Sequence, residues 1–171
     1  MREDHTGDGE PINTVVAVDL DQQGSEPGRV LVGGHDFFAS PRLSPDGRWL
    51  VWLTWDHPNM PWNGTTLWLS ELDGPGNITE PLTIAGGASE SVLQPEWSPD
   101  SGAIFFVSDR SGWWNLYRFD LALRISEPLA PMAAEFGVPL WKLGATTVCL
   151  CRIGSDRLRL FQRWARPTCS P

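Results

Sequence analysis

Apolar residues in this chain come in short continuous blocks bounded by turn formers, and they do not recur at helical spacing. Trp49-Leu50-Val51-Trp52-Leu53 and Ala103-Ile104-Phe105-Phe106-Val107 are the strongest blocks. Five residues without a polar break predict strands buried on both faces. A turn precedes each block, Ser44-Pro45-Asp46-Gly47 in one case and Ser98-Pro99-Asp100-Ser101-Gly102 in the other, with the two serines 54 residues apart. Proline presets φ at the second position of a type I turn, serine suits the first, and glycine tolerates the fourth. The second copy reads as carrying one extra residue, Ser101.

The flanking segments repeat as well. Leu67-Trp68-Leu69-Ser70-Glu71-Leu72 matches Leu116-Tyr117-Arg118-Phe119-Asp120-Leu121, and Val15-Val16-Ala17-Val18-Asp19-Leu20 fits the same pattern. An outer strand recurs as Ile78-Thr79-Glu80-Pro81-Leu82 and Ile125-Ser126-Glu127-Pro128-Leu129, with Arg29-Val30-Leu31-Val32 as the earlier equivalent. Proline at an edge position costs little ladder bonding and discourages edge pairing. An inner strand recurs as Pro41-Arg42-Leu43, Pro95-Glu96-Trp97 and Pro139-Leu140-Trp141, but Lys142-Leu143-Gly144 replaces the turn in the third copy.

Four strands per unit at this period predict an all-β chain, a partial β-propeller with about two complete four-stranded antiparallel blades and two incomplete ones. The expected blades are residues 14–32 (half), 38–84, 92–130 and 138–163 (partial), within a propeller spanning 12–151. Residues 1–11 are expected to be disordered, and 152–171 to form an irregular Arg-rich tail. Propellers close with four to eight blades, so this length does not close a ring. Open blade edges also allow self-association with a second copy.

The order Pro-x-Trp-Ser-Pro-Asp, apolar strand, Ser-Asp-Arg-x-Gly, aromatic strand, present as Pro95 to Asp100 and Ser108 to Gly112, resembles TolB-like blades. Leu53-Thr54-Trp55-Asp56-His57-Pro58-Asn59-Met60-Pro61-Trp62-Asn63-Gly64-Thr65 with Leu67-Trp68 is more particular. Together with Ala134-Glu135-Phe136-Gly137-Val138-Pro139-Leu140-Trp141 it resembles the N-terminal propeller of the prolyl oligopeptidase family, in its acylaminoacyl-peptidase and dipeptidyl-aminopeptidase-like branch. The resemblance covers roughly residues 12–148. It implies a parent serine peptidase in which the propeller covers an α/β-hydrolase domain and admits only peptides or small acylated substrates. The alternative is a TolB-like propeller that serves as a protein-interaction module.

The chemistry fits the propeller half of such a parent. The nucleophile elbow Gly-x-Ser-x-Gly is missing from the sequence; Gly87-Ala88-Ser89-Glu90-Ser91 comes nearest and lacks the second glycine. No catalytic residue is therefore assigned, and no hydrolysis is expected of the chain alone. His5, His35 and His57 are scattered without a nucleophile, and His57 reads as a loop-shaping residue. Asp46 and Asp100 read as turn residues, and the partial match of Ser98 to Gly102 to a sialidase Asp box reads as accidental. Trp62, Trp113 and Trp114, at loop–strand junctions, are the candidates to line a substrate passage.

Composition narrows the partners. Of the 171 residues 41% are hydrophobic and 20% charged, and nine of the ten tryptophans lie from Trp49 to Trp141, where the repeats are. Large rings in such strands serve packing first. The net charge of -8 opposes a nucleic-acid or anionic membrane partner. Five arginines against Asp156 in the last 20 residues reverse that balance, which suits either a binding arm or a truncated or out-of-frame end. An apolar run of membrane-spanning length is lacking, and Met1 to His5 does not open a signal peptide, so a soluble cytoplasmic protein is expected. Cys149, Cys151 and Cys169 suit a reduced compartment. The first two, on one strand face and without a histidine nearby, read as packing residues. No metal or cofactor is expected.

Overall fold

A computed structural model describes residues 1–21, 28–74, 76–139, 148–153 and 157–162. Each Ser-Pro-Asp turn joins the first two strands of a blade. In the first blade, β4 (Phe37–Leu43) pairs with β5 (Trp49–Trp55), which pairs with β6 (Thr66–Asp73). In the second, β9 (Val92–Trp97), β10 (Ala103–Ser108), β11 (Asn115–Asp120) and β12 (Ile125–Pro128) lie side by side, all antiparallel. The described residues contain no helix, so none is long and apolar enough to cross a membrane.

The continuous apolar runs are explained by what covers each face. Along β5, Val51 and Leu53 enter the core shared with the second blade, built with Leu67, Leu69, Val92, Trp97, Ile104, Phe106, Tyr117 and Phe119. Leu50 and Trp52 point the other way, into a cluster with Val15 and Phe38 against the N-terminal sheet. The period of two thus feeds two cores from one strand. In β10, Ile104 and Phe106 face the first blade, while Val107 joins Leu93 and Leu116 on the far side. This face-to-face stacking of antiparallel sheets is a partial β-propeller.

The two turns are the same length, which corrects the expectation of an inserted Ser101. Ser44 N bonds Trp49 O at 2.8 Å and Ser98 N bonds Ala103 O at 2.8 Å, five residues on in both cases. Ser101 (φ 62°) takes the left-handed place that Gly47 (φ 74°) takes in the first copy, and Gly102 stands where Arg48 does. A second shared feature is a bulge in each inner strand. Ser40-Pro41 and Gln94-Pro95 interrupt the registers of β4 with β5 and β9 with β10, with Ser40 (φ 49°) and Gln94 (φ 52°) left-handed. Proline lacks a ladder donor, so a bulge is where an inner strand tolerates it.

Other expectations are corrected at the edges. Residues 1–11 are not wholly without structure: β1 (Arg2–Asp4) pairs with β2 (Ile12–Ala17), Glu3 opposite Asn13, and β2 also pairs with β3 (Arg29–Val32). The β-branched run in β2 has an edge whose backbone groups β1 satisfies. The outer strand expected at residues 78–82 is two pieces, β7 (Asn77–Ile78) and β8 (Leu82–Gly86), each paired with β6, with Pro81 between them. Within the expected irregular tail, β14 (Arg157–Gln162) pairs with β13 (Val148–Ile153). Alternation of Arg157-Leu158-Arg159-Leu160 is a strand pattern that the local charge excess obscures. Leu140 to Gly144 lie outside the described residues.

Candidate functional site

Antiparallel strands send the Ser-Pro-Asp turns to one end of each blade. The longer connections, residues 56–65, 87–91, 109–114 and 129–136, and the link at 33–36, all gather at the other end. This loop face carries the three tryptophans singled out above. Trp62 is half-buried in the loop between β5 and β6. That loop is folded on itself by Asn59 N to Asp56 O (2.9 Å) and Asn63 N to Met60 O (2.8 Å), and Ser91 Oγ donates to Pro61 O at 2.8 Å. Gly64 closes it: a Cβ there would lie 2.6 Å from Ala88 O.

Trp113 is 43% exposed and offers its ring to solvent. Trp114 instead packs on the cluster of Leu93, Val107 and Leu116 together with Phe136. Its main chain is tied on both sides, donating to Glu135 Oε2 at 2.7 Å and accepting from Phe136 N at 2.7 Å. Its neighbour Asn115, fully buried, gathers the link that follows the blade. Its Nδ2 donates to Met132 O at 3.0 Å and Ala134 O at 3.2 Å, and its Oδ1 accepts from Met132 N at 2.8 Å. Thr65, just before β6, does the same for the preceding blade, donating to Val92 O (2.9 Å) and accepting from Val92 N (2.6 Å).

The fold also assembles a cluster that chain order hides. His35 and Asp36 precede β4, Asp56 and His57 follow β5, and the strands bring the two dipeptides together. Asp56 accepts from His35 Nδ1 (2.8 Å) and from Asp36 N (2.7 Å). Asp36 accepts from His57 Nδ1 (3.0 Å) and His57 N (2.8 Å), and the hydrogen bonds from His57 hold the Asp36 carboxyl below the ordinary carboxylate range. The near-palindrome His-Asp, strand, strand, Asp-His is the signal that sequence reading passed over. An open cleft of about 390 Å³ lies beside it, lined by His35, Asp36, Phe37 and His57 with Glu3 and Glu10. Among the described residues no group of three or more His, Cys, Asp or Glu is arranged to hold a metal ion.

At the opposite end, Asp46 and Asp100 serve their own turns. Each accepts from its serine hydroxyl at 2.5 Å and from the backbone N two residues on, Arg48 at 3.1 Å and Gly102 at 3.0 Å. These bonds, the serine's first, lower both carboxyls. On the loop face Asp109 shows the reverse. Burial pushes its carboxyl up and the Glu90 and Glu135 charges add to this, against the bond from Ser91 N.

No protein-family model and no curated protein matches the chain. Among solved structures it matches a puromycin-hydrolysing peptidase of Mycobacterium tuberculosis at 37% identity and TM-score 0.78, over 89% of this chain and 23% of that one. It matches a puromycin hydrolase at 43% identity and TM-score 0.66, over 71% of this chain and 18% of that one. TolB from Acinetobacter baumannii shares the fold at 17% identity and TM-score 0.52, over 75% of this chain and 29% of its own. The chain therefore spans about a fifth of the length of the two hydrolases.

Proposed function

The chain is a partial β-propeller of the kind that prolyl oligopeptidase family peptidases carry, and from that premise we propose that it is the substrate-filtering part of such a hydrolase. In this reading the loop face meets an α/β-hydrolase domain supplied by the rest of a longer polypeptide. Peptides or small acylated substrates reach the nucleophile past that face, and this chain holds no part of the triad. The observation that carries the reading is the gathering of long connections with exposed apolar side chains at one end of the blades. Met60, Trp113 and Met132 are 45%, 43% and 50% exposed there, and apolar groups of this kind anchor domain contacts. A cytoplasmic location belongs to the same reading, supported by the odd number of cysteines.

The test is to express this chain together with the separated hydrolase domain of the puromycin hydrolase and measure association by co-purification and analytical ultracentrifugation. A complex that Trp113→Ala or Met60→Ala weakens is the expected result, with hydrolysis of aminoacyl amides found only in fractions containing the hydrolase domain. Lack of any association, with both parts folded, overturns the reading.

A further inference from the structure

The chain has three methionines, and the two besides Met1, Met60 and Met132, both stand on the loop face. Methionine is ordinarily a core-filling residue, yet these side chains are 45% and 50% exposed, and the core clusters of the described residues contain none. The main chain holds both in place. Met60 N donates to Asn63 Oδ1 at 3.3 Å, and Met60 O accepts from Asn63 N at 2.8 Å. Met132 N donates to Asn115 Oδ1 at 2.8 Å, and Met132 O accepts from Asn115 Nδ2 at 3.0 Å. The same Nδ2 reaches Trp113 O at 3.3 Å, so one buried amide fixes the backbone beneath two exposed apolar side chains, Trp113 and Met132. Each methionine thus has its own N–H and C=O engaged by one asparagine, and offers its thioether to solvent from a fixed backbone. We propose that Met60 and Met132 are reversible oxidation sites, at which a hydroperoxide turns the apolar loop face polar and weakens its contact with the hydrolase domain.

Regulation of this kind rests on the proposed meeting of the loop face with a hydrolase domain. In the step, the thioether sulfur attacks one oxygen of hydrogen peroxide, and the O–O bond breaks as the S–O bond forms. The departing hydroxide leaves as water once it takes up a proton, and sulfur has given two electrons to the peroxide. A dithiol-dependent reductase reverses the change, releasing the oxygen as water while the dithiol becomes a disulfide. The sulfoxide is polar, and its oxygen loses its hydrogen bonds to water when an apolar partner covers it. Neither sulfur belongs to a core, and both backbones are held by asparagine. The fold therefore tolerates the oxygen, and the contact bears the cost.

The test treats the full chain with hydrogen peroxide, restores its cysteines with dithiothreitol, and maps the oxygen gained by mass spectrometry of peptides. Met60 and Met132 should each gain one oxygen, with the melting temperature unchanged. Affinity for the separated hydrolase domain of the puromycin hydrolase is measured before and after. The untreated chain should bind, and the oxidised chain should bind roughly tenfold more weakly, the effect of covering an unsatisfied polar group. Methionine sulfoxide reductase should restore the affinity. A Met60→Leu, Met132→Leu double variant, apolar and without sulfur at either place, should bind equally before and after peroxide. Failure of the untreated chain to bind removes the domain contact and the proposal together. Where the untreated chain binds, the proposal alone is overturned by methionines that peroxide spares, by affinity that oxidation leaves unchanged, by a loss that persists in the leucine variant, or by a loss that accompanies a lowered melting temperature.

Discussion

Asp46 N donates to Ser101 Oγ at 3.1 Å, joining the turns of adjacent blades at the end opposite the loop face. The same pair of strands is tied nearby by Trp97 Nε1 to Arg42 O at 3.1 Å and by Arg42 to Glu96 at 3.6 Å. Arg42 and Glu96 hold equivalent places in the two inner strands, so the interface between blades is built from the repeat itself. Ser101 does two jobs there, keeping the turn's left-handed position and bridging to the next blade.

Those two jobs are separable by substitution. Ser101→Ala keeps a Cβ in the left-handed region and loses the bridge, so it should cost about 1 kcal/mol. Ser101→Gly loses the bridge but relieves the backbone, and should be close to neutral. Gly47→Ala, at φ 74°, should cost about 1–2 kcal/mol. Urea denaturation of the three variants checks these values; if the bridge contributed nothing, Ser101→Ala would be neutral and Ser101→Gly stabilising, with Gly47→Ala still costly.

Gly86 and Gly87 offer a sharper contrast. At Gly86 (φ 94°) an added Cβ would lie 1.9 Å from Thr65 O, whereas at Gly87 (φ 142°) it would meet nothing within 4 Å. Gly86→Ala should therefore cost about 3 kcal/mol or more, combining strain with a displaced strand pair, and Gly87→Ala only about 1–2 kcal/mol. Thermal unfolding followed by tryptophan fluorescence distinguishes them.

Asn115 holds the connection that leaves the second blade through three bonds to Met132 and Ala134. Asn115→Leu removes both donors and the acceptor and leaves buried backbone groups unpaired, which should cost about 2–4 kcal/mol. Asn115→Asp keeps the size but faces two carbonyls with a buried carboxylate, and should cost more at pH 7 than at pH 4. Denaturation at the two pH values checks this.

The blades were legible in sequence because their causes are local. A Ser-Pro-Asp turn followed by five apolar residues specifies a hairpin buried on both sides, whatever packs against it. The bulges at Ser40 and Gln94 were not legible, since a left-handed residue before proline shows itself only when register with the partner strand is counted. The His35–Asp56 and His57–Asp36 pairs also needed the register, because residues 21 positions apart meet only when β4 and β5 align. Trp114 looked like a passage residue beside Trp113, and only the fold shows that one ring faces solvent while the other packs on Leu93 and Val107.

Acid should weaken the fold through one set of carboxylates and relieve it through another. Asp36, Asp46, Asp100 and Asp120 are held below the unfolded value near 3.8 by hydrogen bonds. Their contribution is present above that value and is lost as pH falls through their folded ones. Asp36, Asp46 and Asp100 are exposed and Asp120 is half-buried, so solvent screens most of these contributions. Asp109 runs the other way: burial first, then Glu90 and Glu135, raise it. The folded state binds its proton more tightly than the unfolded state does, so ionised Asp109 opposes folding at neutral pH and protonation removes the opposition. Asp109→Asn keeps an oxygen acceptor for Ser91 N and deletes the charge. It should raise the melting temperature at pH 7 and lose that advantage between pH 7 and 3, as the wild-type carboxyl takes up its own proton. Melting curves of both proteins across that range decide the matter, and an advantage independent of pH would mean that packing, not charge, separates them.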